Sequence, residues 1–382
     1  MPERYGLGKG CTTREVKDLG AGAAGPANRW QPFPALHTFT GVTQVMVSEN
    51  LLAVRFGSLG DVLLTTPLLR AISQQHPQIR LTVLTSQRLA PLLSDNPRID
   101  EVIALAPEDS LLEMGVRLRA LRSSHLLDLE TSPRSWLFRL LVPGRWRAAP
   151  QYRLARELLI RTKRSHFPED STVADRYFDA ARHLGVVPDG GPAEFFLNPE
   201  AEERADTWLG RVNARNRRPF VAFAPGAGQA TKRWPQDYWV RLARRIKATG
   251  AGVVFLGGPD DATITGNIAA RCGAEAVNGA GVLSLQSTGA VLKQAAALVT
   301  GHTGTMHMAA ALGTPLVALI GPTVRAFGYY PYNAARTVLL ERNLPCRPCS
   351  FSGGEECPLK HHRCLQEIQP DAVYAALCRV LA

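Results

Sequence analysis

LLAVRFGSLGDVLLTTP, residues 51 to 67, is the stretch whose reading decides the fold. LLAVRF is an apolar run suited to a buried strand. It ends in a turn holding Gly57 and Gly60, and an amphipathic helix from Val62 to Gln75 follows, stopping ahead of Pro77. A buried strand that feeds directly into a helix is the opening unit of a parallel sheet. Such sheets take ligands at the carboxyl edge of their strands. Glycines there let the backbone come close to a ligand. The spacing fails G-x-G-x-x-G, so the dinucleotide fingerprint is absent. Asp61 stands at the helix start, where it suits either an N-cap accepting backbone N–H groups or a general base.

The same rhythm runs outward from this unit. IRLTVLT, Val102 to Leu105 and HLLDLE read as strands, with a helix over Leu111 to Leu121. The basic region from about 134 to 185 reads as mostly helical. A second series opens at FVAFAPG and AGVVFLGG and closes at PLVALIG. Helices are expected over Gln236 to Thr249, Ala262 to Arg271, Leu292 to Leu298, Thr303 to Leu312 and Pro370 to Leu381. The expected fold is α/β, with two Rossmann-like doubly wound domains facing a cleft. The divisions are residues 48–205, 206–368, and a last helix over 369–382 packing back across the domains. Residues 1–47, rich in Gly, Ala and Pro without periodicity, read as a disordered tail. Met46 just before the first strand makes an upstream start codon one origin for that tail.

At 382 residues, 45% hydrophobic and 20% charged, the chain has enough apolar surface for two cores. It holds no run of about 18 apolar residues that would cross a membrane. Its first residues also lack the apolar core of a secretory signal. The expected location is the cytoplasm. A net charge of +11 and a pI near 9.6 favour anionic partners. Arginines cluster between Arg117 and Arg182, but no helix-turn-helix, zinc-finger or RNA-recognition signature goes with them. An anionic membrane face or an anionic acceptor therefore fits better than nucleic acid, beside the plain reading of a solvated basic face.

Three further segments place ligand chemistry at strand ends. APGAGQATKRWPQDYW, residues 224 to 239, sets Lys232 ahead of a helix start, an anion site unless the lysine is simply solvated. LGGPDDATI, residues 256 to 264, follows Gly258 with Asp261, suited to a ribose hydroxyl or to capping the next helix. TGHTGTMHMAAALGTP, residues 300 to 315, presents the amides of Thr303, Gly304 and Thr305 to a diphosphate. His302 and His307 lie five apart, a poor spacing for two metal ligands on one helix, and His307 suits a hydrogen-bonded packing role.

Together these segments resemble glycosyltransferase family 9, the heptosyltransferases of the bacterial lipopolysaccharide inner core. The resemblance rests on R-x-G-x-L-G-D, PGA…TKRWP, GGPDD, the G-x-x-H-x-A-A-A-L-G-T-P helix and the late CRPC…CPLKHHRCL segment, across residues 50 to 375. It implies the type B glycosyltransferase architecture and an inverting, metal-independent transfer that needs no cofactor. The implied donor is an ADP-heptose, and the implied acceptor is lipid A with its inner core, at the inner face of the cytoplasmic membrane. Asp61 resembles the catalytic base. Gly60, Lys232, Gly258, Asp261, His302, Thr303, Gly304, Thr305 and His307 fall among the donor-binding positions. The family has Asp where this chain has His302, which makes the donor sugar the open point.

Cys346, Cys349, Cys357 and Cys364 read as reduced thiols in a loop, with structural zinc as the alternative. A nucleotide-sugar epimerase of the same architecture would need further carboxylates around one sugar. A degenerate nucleotide- or lipid-binding scaffold is the non-enzymatic reading.

Overall fold

β1 (Glu49–Val54) shows why the strand pattern is apolar throughout. Leu51 and Ala53 enter one core while Leu52 and Val54 enter another, so both faces of the strand are covered. The computed structural model describes residues 49–168, 171–212, 214, 219–273 and 276–382; the tail expected over residues 1–47 lies outside them.

The first unit continues through α1 (Leu59–Leu63), α2 (Thr66–Gln75), β2 (Ile79–Ser86), β3 (Glu101–Leu105), α3 (Leu111–Ala120), β4 (His125–Asp128), α4 (Pro133–Leu141), β5 (Trp146–Ala148), α5 (Arg153–Thr162) and α6 (Val173–Ala180). Its strands lie in the parallel order β3-β2-β1-β4-β5. The helix expected over Val62 to Gln75 is two helices. Thr65 and Thr66 turn their hydroxyls onto the carbonyls of Val62 and Leu63, both at 2.7 Å, and Pro67 has no N–H to carry the helical ladder through.

The second unit comprises α7 (Pro199–Arg211), β6 (Phe220–Ala224), α8 (Gln236–Lys247), β7 (Gly252–Phe255), α9 (Ala262–Arg271), β8 (Val277–Asn278), α10 (Leu285–Gln294), β9 (Ala297–Gly301), α11 (Gly304–Ala311), β10 (Leu316–Ile320), β11 (Thr337–Glu341), α12 (Arg363–Gln366) and α13 (Pro370–Leu381). Its parallel order is β11-β10-β9-β6-β7-β8. The division expected at 205/206 falls inside α7, which packs on α10. The helix expected at Leu292 begins instead at Leu285, where the Ser284 hydroxyl caps it by accepting from Ser287 N–H at 3.1 Å.

One apolar core joins the two sheets. Leu51, Ala53, Leu81, Val83 and Leu127 share it with Ala222, Ala224, Val254, Leu298 and Ile320. The outer face of the first sheet is covered by α3 and α4. The outer face of the second is covered by α8, α9 and α13 around Phe223, Phe255 and Trp239. Val373, Leu377 and Val380 of α13 belong to that outer core. The last helix therefore packs within the second unit and not across both, because its apolar stripe matches the face of β9, β10 and β11.

Phe223 stands edge-on to Phe255 at 5.5 Å and 5.1 Å from the Trp239 ring, with no exposed surface. Phe223→Ala should cost about 3–5 kcal/mol, read as a lower urea midpoint at unchanged slope; a loss below about 1 kcal/mol would contradict this packing.

Candidate active site

The strand order of the first sheet reverses between β1 and β4, which opens a crevice at their carboxyl ends. Arg55, just past β1, spans it. Its Nη1 donates to the Leu129 carbonyl at 2.5 Å, its Nε lies 3.3 Å from Glu130 Oε2, and its Nη2 lies 3.0 Å from Asp61 Oδ1. Burial works against the guanidinium charge, but Tyr177, Asp61 and Glu130 outweigh it and hold Arg55 protonated. Asp61 Oδ2 accepts from both the amide and the hydroxyl of Ser58, at 2.8 and 2.9 Å. That oxygen closes the turn into α1. Oδ1 is buried, accepts no hydrogen bond and lies beside Arg55. The cap and the candidate base are thus two oxygens of one carboxylate.

The second sheet reverses between β6 and β9. The loop after β6 ends in a tight turn, Ala230–Lys232, and the loop after β9 runs through His302 and Thr303 into α11. Lys232 is half-buried; burial lowers its pKa, and Asp61 is the charge that works against that shift. Lysine and carboxylate therefore face each other from opposite sheets. Thr303 precedes α11 without a side-chain cap, so the first amides of that helix, at the half-exposed Gly304 and Thr305, have no capping partner. An uncapped helix start carries about half a positive charge.

The two sheets can approach this closely because two glycines lack side chains. A Cβ on Gly60 would lie 2.4 Å from the His307 ring, and one on Gly304 would lie 2.8 Å from Leu59 Cβ. Gly60 and His307, both expected among the donor-binding residues, meet in this seam. Asp261 lies against Gly226 and Gly257 and accepts from Gly258 N–H at 3.1 Å, so it caps its own turn at the rim of the same crevice.

The model of glycosyltransferase family 9 (heptosyltransferase) matches residues 112–361. The chain belongs to that family. Lipopolysaccharide heptosyltransferase 2 of Escherichia coli (strain K12) is 29% identical to it over 74% of this chain and 85% of its own length. Lipooligosaccharide heptosyltransferase 2 of Haemophilus influenzae is 27% identical over 87% of this chain and 99% of its own. Among solved structures, E. coli ADP-heptose LPS heptosyltransferase II superposes with a TM-score of 0.68 at 23% identity, covering 87% of this chain and 98% of that one. This family 9 chain is a glycosyltransferase with the two-sheet architecture the sequence led us to expect.

In this glycosyltransferase the His302 ring is held by two hydrogen bonds. Its Nε2 donates to the Tyr329 carbonyl at 2.7 Å, so its Nδ1 accepts from the Thr323 hydroxyl, also at 2.7 Å. Both ring nitrogens are committed to the loop after β10. The cysteines form no metal cage: among the described residues no group of three or more His, Cys, Asp or Glu side chains is placed to hold an ion. Cys349 Sγ turns to the Cys346 carbonyl at 3.3 Å, and burial raises the Cys364 thiol to about 11. Their segment instead braces the lysine loop. Thr231 exchanges hydrogen bonds with Gly354, and His362 Nε2 donates to the Thr231 carbonyl at 2.8 Å. These hydrogen bonds tie the cysteine segment to the turn that carries Lys232. Arg55 and Glu130, which stand beside Asp61, and Tyr329, whose carbonyl holds His302, are positions the sequence reading did not single out. Glu130 closes the strand HLLDLE at a carboxyl edge, and the argument that found Asp61 would have found it too. Nothing local to Tyr329 marks it.

Burial lowers His302 to about 3 and His307 to about 4, both from an ordinary 6.5. The unfolded chain therefore binds protons between pH 6.5 and 4 that the folded chain refuses. Stability is full above about pH 6.5 and falls as the pH drops, by up to about 2.7 kcal/mol per unit while both rings contribute. Urea midpoints at pH 7 and 5 should show this, and His302→Gln should remove about half of the slope. A slope left unchanged by His302→Gln would mean that His302 is not held neutral.

Proposed function

We propose that the chain transfers a heptose from ADP-heptose to the inner core of lipopolysaccharide, with inversion at the anomeric carbon. The observation that carries this reading is the buried Oδ1 of Asp61, free of hydrogen bonds, on a carboxylate near enough to Lys232 to bear on its charge and on a helix that packs against α11 with its bare start. The acceptor hydroxyl gives its proton to Oδ1 as its oxygen attacks the anomeric carbon. General base catalysis of this kind contributes about 10²–10⁴-fold. The bond to the diphosphate breaks on the other face of the sugar, through an oxocarbenium-like state. Charge growing on the departing phosphate meets the Lys232 ammonium and the amides of Gly304 and Thr305. Preorganised donors of that kind are worth roughly 2.7–4 kcal/mol each, enough to serve in the place of a divalent cation.

Arg55 is a positioning residue in this scheme. When Asp61 takes the proton, Arg55 keeps Glu130 as its partner, so no buried cation is left alone. Asp261 is available to a ribose hydroxyl at the rim. The relatives act on lipid-linked saccharides by name, and we assign this chain the same class of acceptor, met at a membrane surface. His302, in place of the family Asp, supports a second reading: the same chemistry with a donor sugar other than heptose. Competition among ADP-sugars for turnover separates the two.

Asp61→Asn should lower kcat by about 10²–10⁴ while ADP binding, read by calorimetry, stays intact. Turnover within about threefold of the parent would remove Asp61 as the base. Lys232→Ala should weaken ADP affinity and slow turnover by about 10²–10³; a variant with parental affinity and rate would leave the phosphate without this lysine.

A further inference from the structure

Nine large apolar side chains are exposed among the described residues, and six of them lie between positions 112 and 158. They come as i,i+4 pairs: Leu112 and Val116 on α3 (63% and 71% exposed), Trp136 and Leu140 on α4 (52% and 82%), and Leu154 and Leu158 on α5. Residues four apart share a helix face. α3 packs directly on α4, and Gly115 lets the two meet at Leu141. α5 starts where α4 starts, since Arg153 at its first turn donates to the Thr131 carbonyl at 2.6 Å, next to the α4 cap Ser132. From Thr131 to Ser165 the chain carries eight arginines and Lys163 against a single carboxylate, Glu157.

Charge alone would not single out this face. α8 on the opposite side of the molecule also exposes Arg241, Arg244 and Arg245, yet no large apolar side chain stands out among them. Arginine beside outward Leu and Trp is the combination that suits a bilayer: guanidinium for anionic headgroups, indole for the interfacial level, leucine for the acyl boundary. A second copy of this chain is a poor occupant, because a self-paired contact would set this cationic stretch against itself. Nucleic acid would have no use for the outward leucines.

We infer that α4 and α5, extended by α3, seat this enzyme on a phospholipid surface with anionic headgroups. The inference builds on the lipid-linked acceptor proposed above. α4 begins two residues after Thr131 and three after Glu130, the partner of Arg55 at the crevice, so the docked face adjoins the side of the cleft that holds Asp61. A lipid-anchored saccharide then needs to rise only a short way from the bilayer to meet the base.

Flotation of the full chain with vesicles of phosphatidylethanolamine and phosphatidylglycerol, against vesicles of phosphatidylcholine alone, tests this. The parent should partition to the anionic vesicles at least about tenfold better, and less as salt rises. Trp136→Ser with Leu140→Ser and Leu154→Ser should reduce that partition at least about tenfold. The same variant should keep its Tm and release ADP with a water-soluble acceptor within about twofold of the parent. Arg145→Gln with Arg147→Gln, which touches no apolar side chain, should weaken binding to the anionic vesicles only. Parental partition by the apolar variant, or equal binding of the parent to neutral vesicles, would overturn the assignment. So would a parent dimer that the variant breaks, or retention on duplex DNA that the apolar changes abolish. Vesicle binding that behaves as expected in an enzyme that turns over no heptose acceptor would instead defeat the proposed function and leave the docking face standing.

Discussion

Everything in the cleft depends on how closely α1 and α11 meet. Their contact is made without side chains at the critical points, Gly60 under the His307 ring and Gly304 against Leu59. A methyl at either position would have to displace an imidazole or a leucine that is itself held by the core. Because the contact is this tight, a carboxylate at the end of one sheet and an ammonium at the end of the other share a single electrostatic environment. A gap wide enough for a water layer would screen them from each other. Packing at the seam sets the chemistry, and the charges follow.

Those charges are costly to bury, and the molecule compensates for them locally. Arg55 sits between two carboxylates, and removing it would strip this ion pair from both, a change worth about 3–5 kcal/mol. The opposite solution is used for His302, which stays neutral and spends both nitrogens on Thr323 and Tyr329. Where the family resemblance implies an acidic group, this chain therefore has an uncharged tie. That tie fastens the loop carrying Tyr329 to the turn ahead of α11.

The strand–turn–helix units were legible because both faces of each central strand are covered, which makes the sequence apolar without interruption and leaves the polar residues at the ends. Asp61, Lys232 and Thr303 all stand at such ends, and one rule about parallel sheets located them. β5 and β11 were missed because each is an edge strand, three and five residues long, with little burial to mark it. The position of α7 was missed because its partner, α10, lies more than seventy residues further on. The partners of Arg55 and His302 come from distant segments and carry no local pattern. The cysteines read as reduced thiols in a loop, and nothing in their spacing announced that Gly354 and His362 tie this segment to Thr231 by hydrogen bonds.

A second seam lies beside the first. Gly328, at a positive φ of 82°, presses against Ser171 and Thr172 ahead of α6, and from α6 Tyr177 reaches the Asp61 carbonyl at 3.5 Å. Two tight seams define an axle, and Asp61 lies along it. Any swing of one sheet against the other moves the outer rim most and the carboxylate least. The contacts that swing would break, Lys163 to the Pro348 carbonyl and Arg156 over the Phe351 ring, are each worth on the order of 1 kcal/mol. A swing of this kind would part the rim and leave the Asp61 carboxylate registered to the far wall.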